Sequence, residues 1–202
     1  IVALNRQTGA LLWKCATPEG DAAAFASASV LEVGGVRQYV QLLQKGLVGL
    51  DAKTGKLLWR YSKAVSKYGA NIPSPLVSGD RVYVSSAGTG GGLVKIKPTA
   101  SGFDAEQVYF ESKLPTAIGG VVKVGDYLYG TTGQALLCIE FATGQVKWEE
   151  RALAPASLLY ADGRLYLHGE NGEVALVEPT PEGYREKGRF APPEQPAKTR
   201  NM

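Results

Sequence analysis

One histidine, two cysteines and one methionine occur among 202 residues, and each scarcity excludes a class of chemistry. The lone His168 rules out any site built on a histidine pair. Cys15 and Cys138 stand far apart, which excludes a disulfide framework, a zinc ribbon and a CxxC redox centre. No apolar run approaches the ~20 residues that a membrane helix needs. Charge of one sign is also lacking. Lys+Arg 22 against Asp+Glu 19 leaves +3, too small a surplus for a nucleic-acid surface or a polybasic membrane patch. Neither helical periodicity nor a leucine-rich repeat is visible. What the chain does have is 45% hydrophobic residues, 25 glycines and ten tyrosines, the material of a packed core joined by many tight turns.

The sequence starts at Ile1, inside an apolar stretch, with neither an initiator Met nor a signal peptide. It reads as a piece of a longer protein. Residues 191–202, with Pro192, Pro193 and Pro196, are expected to be coil leading toward a further repeat.

Internal repetition is the strongest signal. Ala3-Leu4-Asn5-Arg6-Gln7-Thr8-Gly9 leads to Trp13, and Gly49-Leu50-Asp51-Ala52-Lys53-Thr54-Gly55 leads to Trp59. Cys138-Ile139-Glu140-Phe141-Ala142-Thr143-Gly144 leads in the same way to Trp148. Thr8 and Thr54 are 46 residues apart and Thr54 and Thr143 are 89 apart, so the unit is about 44.5 residues. The copy due near Thr99 is decayed: Val94 to Thr99 is followed by an insertion, Ala100 to Glu106, and then Gln107-Val108-Tyr109-Phe110. A last copy at Ala175 to Thr180 has lost its Trp. Ahead of each later copy stand two β-branched or aromatic runs around Gly34-Gly35, Gly79-Asp80, Gly125-Asp126 or Asp162-Gly163. Such pairs mark hairpins, because tight hairpin turns need positive φ at their centre.

Each unit is therefore two hairpins, four short strands A to D. Four strands per ~45 residues is the pattern of a β-propeller blade. The units fall at 26–63, 70–112, 115–150 and 153–190, with residues 1–15 supplying strands C and D of an earlier blade. Propellers close with about four to eight blades. Four and a half units with a leading half-blade are expected to form an open arc of a larger ring, with an exposed apolar flank at each end.

The spacing Ala-x-Asp-x-x-Thr-Gly-x-x-x-Trp resembles the tryptophan-docking motif of PQQ-like propellers, which include quinoprotein dehydrogenases and BamB-type scaffolds. The match is fullest at 49–59, good at 3–13 where Asn5 replaces the acid, and looser at 138–148 where Glu140 and Cys138 depart from it. The likeness extends over about residues 2–190, and the run Gly35 to Val40 is also similar to PQQ-binding-like repeat proteins of bacterial envelopes. Trp13, Trp59 and Trp148 are expected to lie between blades, each indole N–H bonded to a backbone carbonyl next door. Asp51, Thr54 and Gly55 would shape the receiving turn.

The resemblance places ligands at the channel mouth, on the D–A and B–C loops. The positions there are Tyr68, Asn71 and Thr116 in D–A loops, and His168, Glu170 and Asn171 in the last B–C loop. Quinoprotein dehydrogenases need a carboxylate base, calcium ligands and usually an adjacent cysteine pair. The chain has no such pair, and no Asp or Glu at 68–71, 115–118 or 154–156. His168 to Gly172 reads as a Gly-rich turn, and Ala87 to Gly92, lacking GxGxxG spacing, as a B–C link rather than a phosphate cradle. Both cysteines read as buried apolar residues. No cofactor is evident in the chain; PQQ with calcium is implied only for a full-length dehydrogenase. The resemblance implies a non-catalytic propeller scaffold of the periplasm or cell envelope, binding proteins through loops or strand edges. The alternative is part of a PQQ-dependent alcohol or sugar dehydrogenase.

Overall fold

The computed structural model describes residues 1–17 and 20–193; most of the expected coil at 191–202 lies outside them. Eighteen β-strands form five antiparallel sheets in series, and no α-helix occurs among the described residues. The first sheet has two strands, β1 (Val2–Leu4) and β2 (Leu11–Lys14). Blade 2 is β3 (Ser29–Val33), β4 (Val36–Leu43), β5 (Gly46–Asp51) and β6 (Leu57–Tyr61), and blade 3 is β7 (Leu76–Ser78), β8 (Arg81–Ser86), β9 (Gly90–Thr99) and β10 (Gly102–Glu111). Blade 4 is β11 (Val121–Val124), β12 (Tyr127–Thr131), β13 (Leu136–Glu140) and β14 (Val146–Glu150). Blade 5 is β15 (Ala156–Ala161), β16 (Arg164–Gly169), β17 (Val174–Val177) and β18 (Glu186–Phe190). In every sheet the strands neighbour one another in chain order, and the sheets do not close into a ring.

The turn between the third and fourth strands of a blade follows from its sequence. In blade 2 the Asp51 carboxylate accepts the N–H groups of Lys53 and Thr54 at 2.9 and 2.7 Å, and the Thr54 hydroxyl at 2.9 Å. Gly55, at φ +73°, returns the chain and donates its N–H to the Asp51 carbonyl. Asn5 repeats the device in the first sheet, accepting from Gln7 and Thr8. Each returning strand then carries a β-bulge, after which Ala3 faces Trp13, Gly49 faces Trp59 and Cys138 faces Trp148.

The core is divided among the junctions between sheets. One cluster joins Val40, Leu42, Leu47 and Trp59 of blade 2 to Val82, Val84, Val94 and Ile96 of blade 3. A second joins Tyr83 and Leu93 to Leu128, Leu137 and Ile139 of blade 4. The third joins Tyr129, Leu136 and Cys138 to Leu165, Leu167, Ala175 and Val177 of blade 5. Alternation along each strand is what allows this. One set of side chains faces the preceding sheet and the other faces the following one.

Two stretches depart from the sequence reading. Residues 100–106 are not an insertion beside the repeat: the β9–β10 hairpin runs through to a turn at 100–101 and replaces the Asp-x-x-Thr-Gly turn. Its tip leans back on blade 2, where Phe103 and Ala105 join the first cluster and the Tyr61 hydroxyl donates to Gln107 at 2.9 Å. The B–C link of blade 3 is also shorter than expected, since Gly90 to Gly92 belong to β9.

Candidate functional site

Three aromatic side chains each reach across a junction to a backbone carbonyl of the next sheet. Trp13 donates its indole N–H to the Ala52 carbonyl of blade 2 at 3.1 Å, and its ring lies where a Cβ on Gly55 would be, 2.4 Å from the nearest ring atom. Trp148 donates to the Thr180 carbonyl of blade 5 at 2.7 Å and meets the Tyr184 ring edge-on. Between these two, Tyr109 occupies the tryptophan position of blade 3. It follows the β-bulge and faces Leu93, its hydroxyl donates to the Phe141 carbonyl at 3.1 Å, and its ring covers Gly144. Phe141 and Gly144 hold the turn positions that Ala52 and Gly55 hold in blade 2.

Trp59 corrects the expectation made for it. The residue is buried, 5% exposed, but its indole donates to the Gln38 side-chain carbonyl of its own blade at 2.6 Å, not to a neighbouring backbone. The cause lies in blade 3, which has no Asp-x-x-Thr-Gly turn to offer a carbonyl. Trp59 lies instead across Gly49, where a Cβ would come within 2.1 Å of its ring. Gln38 is buried in turn, and its Nε2 has no partner.

The channel-mouth candidates do not converge. Asn71 is fully buried, its Oδ1 accepting from the Ser66 N–H and the Ser86 hydroxyl and its Nδ2 donating to the Leu43 and Gln44 carbonyls. It clamps the link between blades 2 and 3 and has no group left for a ligand. Tyr68 is 80% exposed and lies over Gly88. Thr116 sits in the next link, its N–H bonded to the Thr131 carbonyl. His168 is not in a loop. It lies on β16, opposite Ser157 and Val174, on the exposed side of blade 5. Glu170 and Asn171 form the turn that follows, Asn171 bonding both the N–H and the carboxylate of Glu173, with Gly172 at φ +86°.

Among the described residues, no group of three or more His, Cys, Asp or Glu side chains is placed to hold a metal ion. A groove of about 360 Å³ between blades 3 and 4 is lined by Asp80, Arg81, Lys123, Asp126 and Glu140. Its charges answer one another: Asp80 lies between Arg81 and Lys95, and Lys123 lies over the Phe141 ring. Cys138 is buried, and that burial pushes its thiol above the usual range, an unreactive setting. Sequence reasoning missed the clamp at Asp21. Its buried carboxylate accepts from Arg60 at 3.0 Å and the Lys45 N–H at 2.8 Å, fixing the link ahead of blade 2. A single Asp in a link carries no motif that would reveal this.

Sheets in series, with Trp13, Tyr109 and Trp148 each bonded to a backbone carbonyl of the next sheet, define a β-propeller assembled from PQQ-like repeats. The sequence profile of the family described as outer membrane protein assembly factor BamB matches residues 1–150, and the chain belongs to that family. BamB from Moraxella catarrhalis superposes with a TM-score of 0.69 at 15% identity, over 94% of this chain and 57% of that one. Sqt1 of Saccharomyces cerevisiae gives 0.67 at 15% identity, over 94% and 54%, and the computationally designed Ika8 protein gives 0.61 at 10%, over 91% and 53%. The chain thus spans somewhat more than half the length of these structures. A search of curated proteins gives no match.

Proposed function

We propose that the chain is a non-catalytic propeller module of the bacterial cell envelope that holds protein partners through its loops and strand edges. The observation that carries this reading is the family match over residues 1–150, in a chain whose Asn71 side chain is spent on the link between blades 2 and 3. Free edges are available for strand addition, since the outermost strand of each sheet has one unpaired side. Those of β14 and β18 carry Lys147, Glu149, Glu150, Glu186, Lys187 and Arg189, charges that discourage indiscriminate pairing. The edge of β2 carries exposed Leu11 and Leu12 and is the better strand acceptor.

A photo-crosslinking side chain placed at Leu12 or Tyr68, in bacteria expressing the chain, tests this. Discrete adducts with envelope proteins are expected, and recovery of the chain in the cytosol without adducts would count against the reading. Adding PQQ and Ca²⁺ to the purified chain provides the second arm. A quinone absorbance with dye-linked alcohol oxidation would overturn the non-catalytic assignment.

A further inference from the structure

The loop face over blades 2 and 3 combines exposed aromatic rings with unanswered positive charge. It is built from the link 20–28 ahead of β3, the link 62–75 between β6 and β7, the β8–β9 loop at 87–89 and the link 112–120 after β10. These segments are tied together. Phe25 donates its N–H to the Asn71 carbonyl at 3.0 Å, the Thr89 hydroxyl donates to the Val65 carbonyl at 2.7 Å, and Tyr68 rests against Gly88. A Cβ on Gly90 would strike the backbone of Glu111 and Ser112, which brings the start of the last link, at Lys113, to the same loop. Phe25 and Tyr68 are 74% and 80% exposed, ahead of any other aromatic residue among those described. Lys63, Lys67 and Lys113 are exposed and form no ion pair among the described residues. Asp21 is the one carboxylate in these segments, and it is spent on Arg60; Glu111, at the end of β10, can offset one lysine at most. At the opposite end of the same sheets the charges are answered, Arg37 by Glu32, Arg81 and Lys95 by Asp80, and Lys97 by Glu106.

We propose that this face binds an extended acidic segment of a partner protein, in which carboxylates flank an apolar side chain. The apolar side chain packs on the rings of Tyr68 and Phe25, and the carboxylates lie toward Lys67 and Lys113. The inference rests on reading the chain as a protein-binding module and names the chemistry of one partner. Charge complementarity selects the occupant: uncompensated lysines attract carboxylates and repel basic segments, while exposed rings supply the anchor. Both sheets that flank Tyr68 are present, and further blades extend a propeller from the ends of its arc, so this face stays open to a partner. A bilayer suits the face less well. Lys63, Lys67 and Lys113 fall short of the roughly 4–8 basic residues of a lipid-binding cluster, and Lys63 is engaged over the Phe110 ring.

A photo-crosslinking aromatic side chain at Phe25, in bacteria expressing the chain, tests this when mass spectrometry reads the segment it captures. The expected segment belongs to another protein and has Asp or Glu on both sides of an apolar residue. Lys67→Glu combined with Lys113→Glu should cut the adduct yield at least about tenfold, and Tyr68→Ala should do the same. Adducts from a crosslinker at Leu12 should be unchanged by these substitutions, and far-UV circular dichroism checks that the variants are folded. Capture of a basic or uncharged segment, capture within the chain itself, or a yield indifferent to the charge reversal would overturn the proposal. Adducts from Leu12 with none from Phe25 would overturn it and leave the broader reading standing, whereas none from either position would remove both. Phosphatidylglycerol vesicles mixed with the purified chain provide the second arm. The chain should stay behind when the vesicles float; flotation that the lysine variant loses would assign the face to a lipid surface and overturn the proposal.

Discussion

Tyr109 covers Gly144 as Trp13 covers Gly55, and each donates one hydrogen bond to the carbonyl three residues ahead of the glycine it covers. A phenol thus does the work of an indole at the junction of blades 3 and 4. Tyr109→Ala should destabilise the chain by roughly 3–5 kcal/mol, the cost of removing a large ring from a packed site. Tyr109→Phe keeps the ring and should lose only about 1 kcal/mol for the hydrogen bond. Urea unfolding followed by tryptophan fluorescence separates the two. Equal losses would show that the ring contributes nothing beyond its hydroxyl.

Trp59 and Gln38 form a pair within one sheet, and they should behave as a unit. Trp59→Phe strands the buried Gln38 amide, and Gln38→Met strands the indole N–H; each should cost about 1–3 kcal/mol. Combining them removes both polar partners together with the unpaired Nε2, so the double variant should be less destabilised than the sum of the singles. Strict additivity in a double-mutant cycle would argue against a coupled pair.

Asn71 is predicted to be a stability residue with no part in binding. Asn71→Ala leaves the Leu43 carbonyl and the Ser66 N–H without their side-chain partner, while the Ser86 hydroxyl keeps the Ala64 carbonyl, and should cost about 2–4 kcal/mol. Partner adducts from Tyr68 should persist below the melting temperature of the variant. Adducts lost while the protein remains folded would return Asn71 to the binding surface.

High pH should unfold the chain through its tyrosines. Burial pushes the Tyr61 hydroxyl up to about 12, and burial raises Tyr83, Tyr109, Tyr129 and Tyr184 in the same direction. A folded-state pKa above the unfolded value of ~10 means that the folded chain holds its protons more tightly. Stability is therefore full below about pH 10 and is lost as pH rises through 12, and Tyr61→Phe should reduce that loss. Melting temperatures between pH 8 and 12 check this, and a flat profile would contradict it.

The sheets were legible because their signals are local. Gly79-Asp80 and Asp162-Gly163 set tight turns, and the interval from Thr54 to Trp59 places a bulge and sets Trp59 opposite Gly49 without reference to the rest of the chain. Tyr109 escaped notice for the opposite reason. The long β9–β10 hairpin breaks the count from turn to staple, and only pairing with Leu93 reveals the position. His168 was assigned to a loop because the glycines around it suggest a turn, whereas the turn begins one residue past Gly169. Asn71 could not be read at all, since what buries it is four groups from three separate segments. Trp59 was misjudged through its neighbour. Its own sequence is the fullest copy of the motif, but a staple needs a turn to receive it.

The three apolar clusters lie one at each junction from blade 2 to blade 5, strung along the arc, so cooperativity here is borrowed from next-door neighbours alone. A lesion at one joint weakens that joint and leaves the distant ones to stand or fail by themselves. Such a molecule frays from its tips inward. Its lineage can also lengthen or shorten by whole modules, because adding one creates a single new seam and rewrites no existing core.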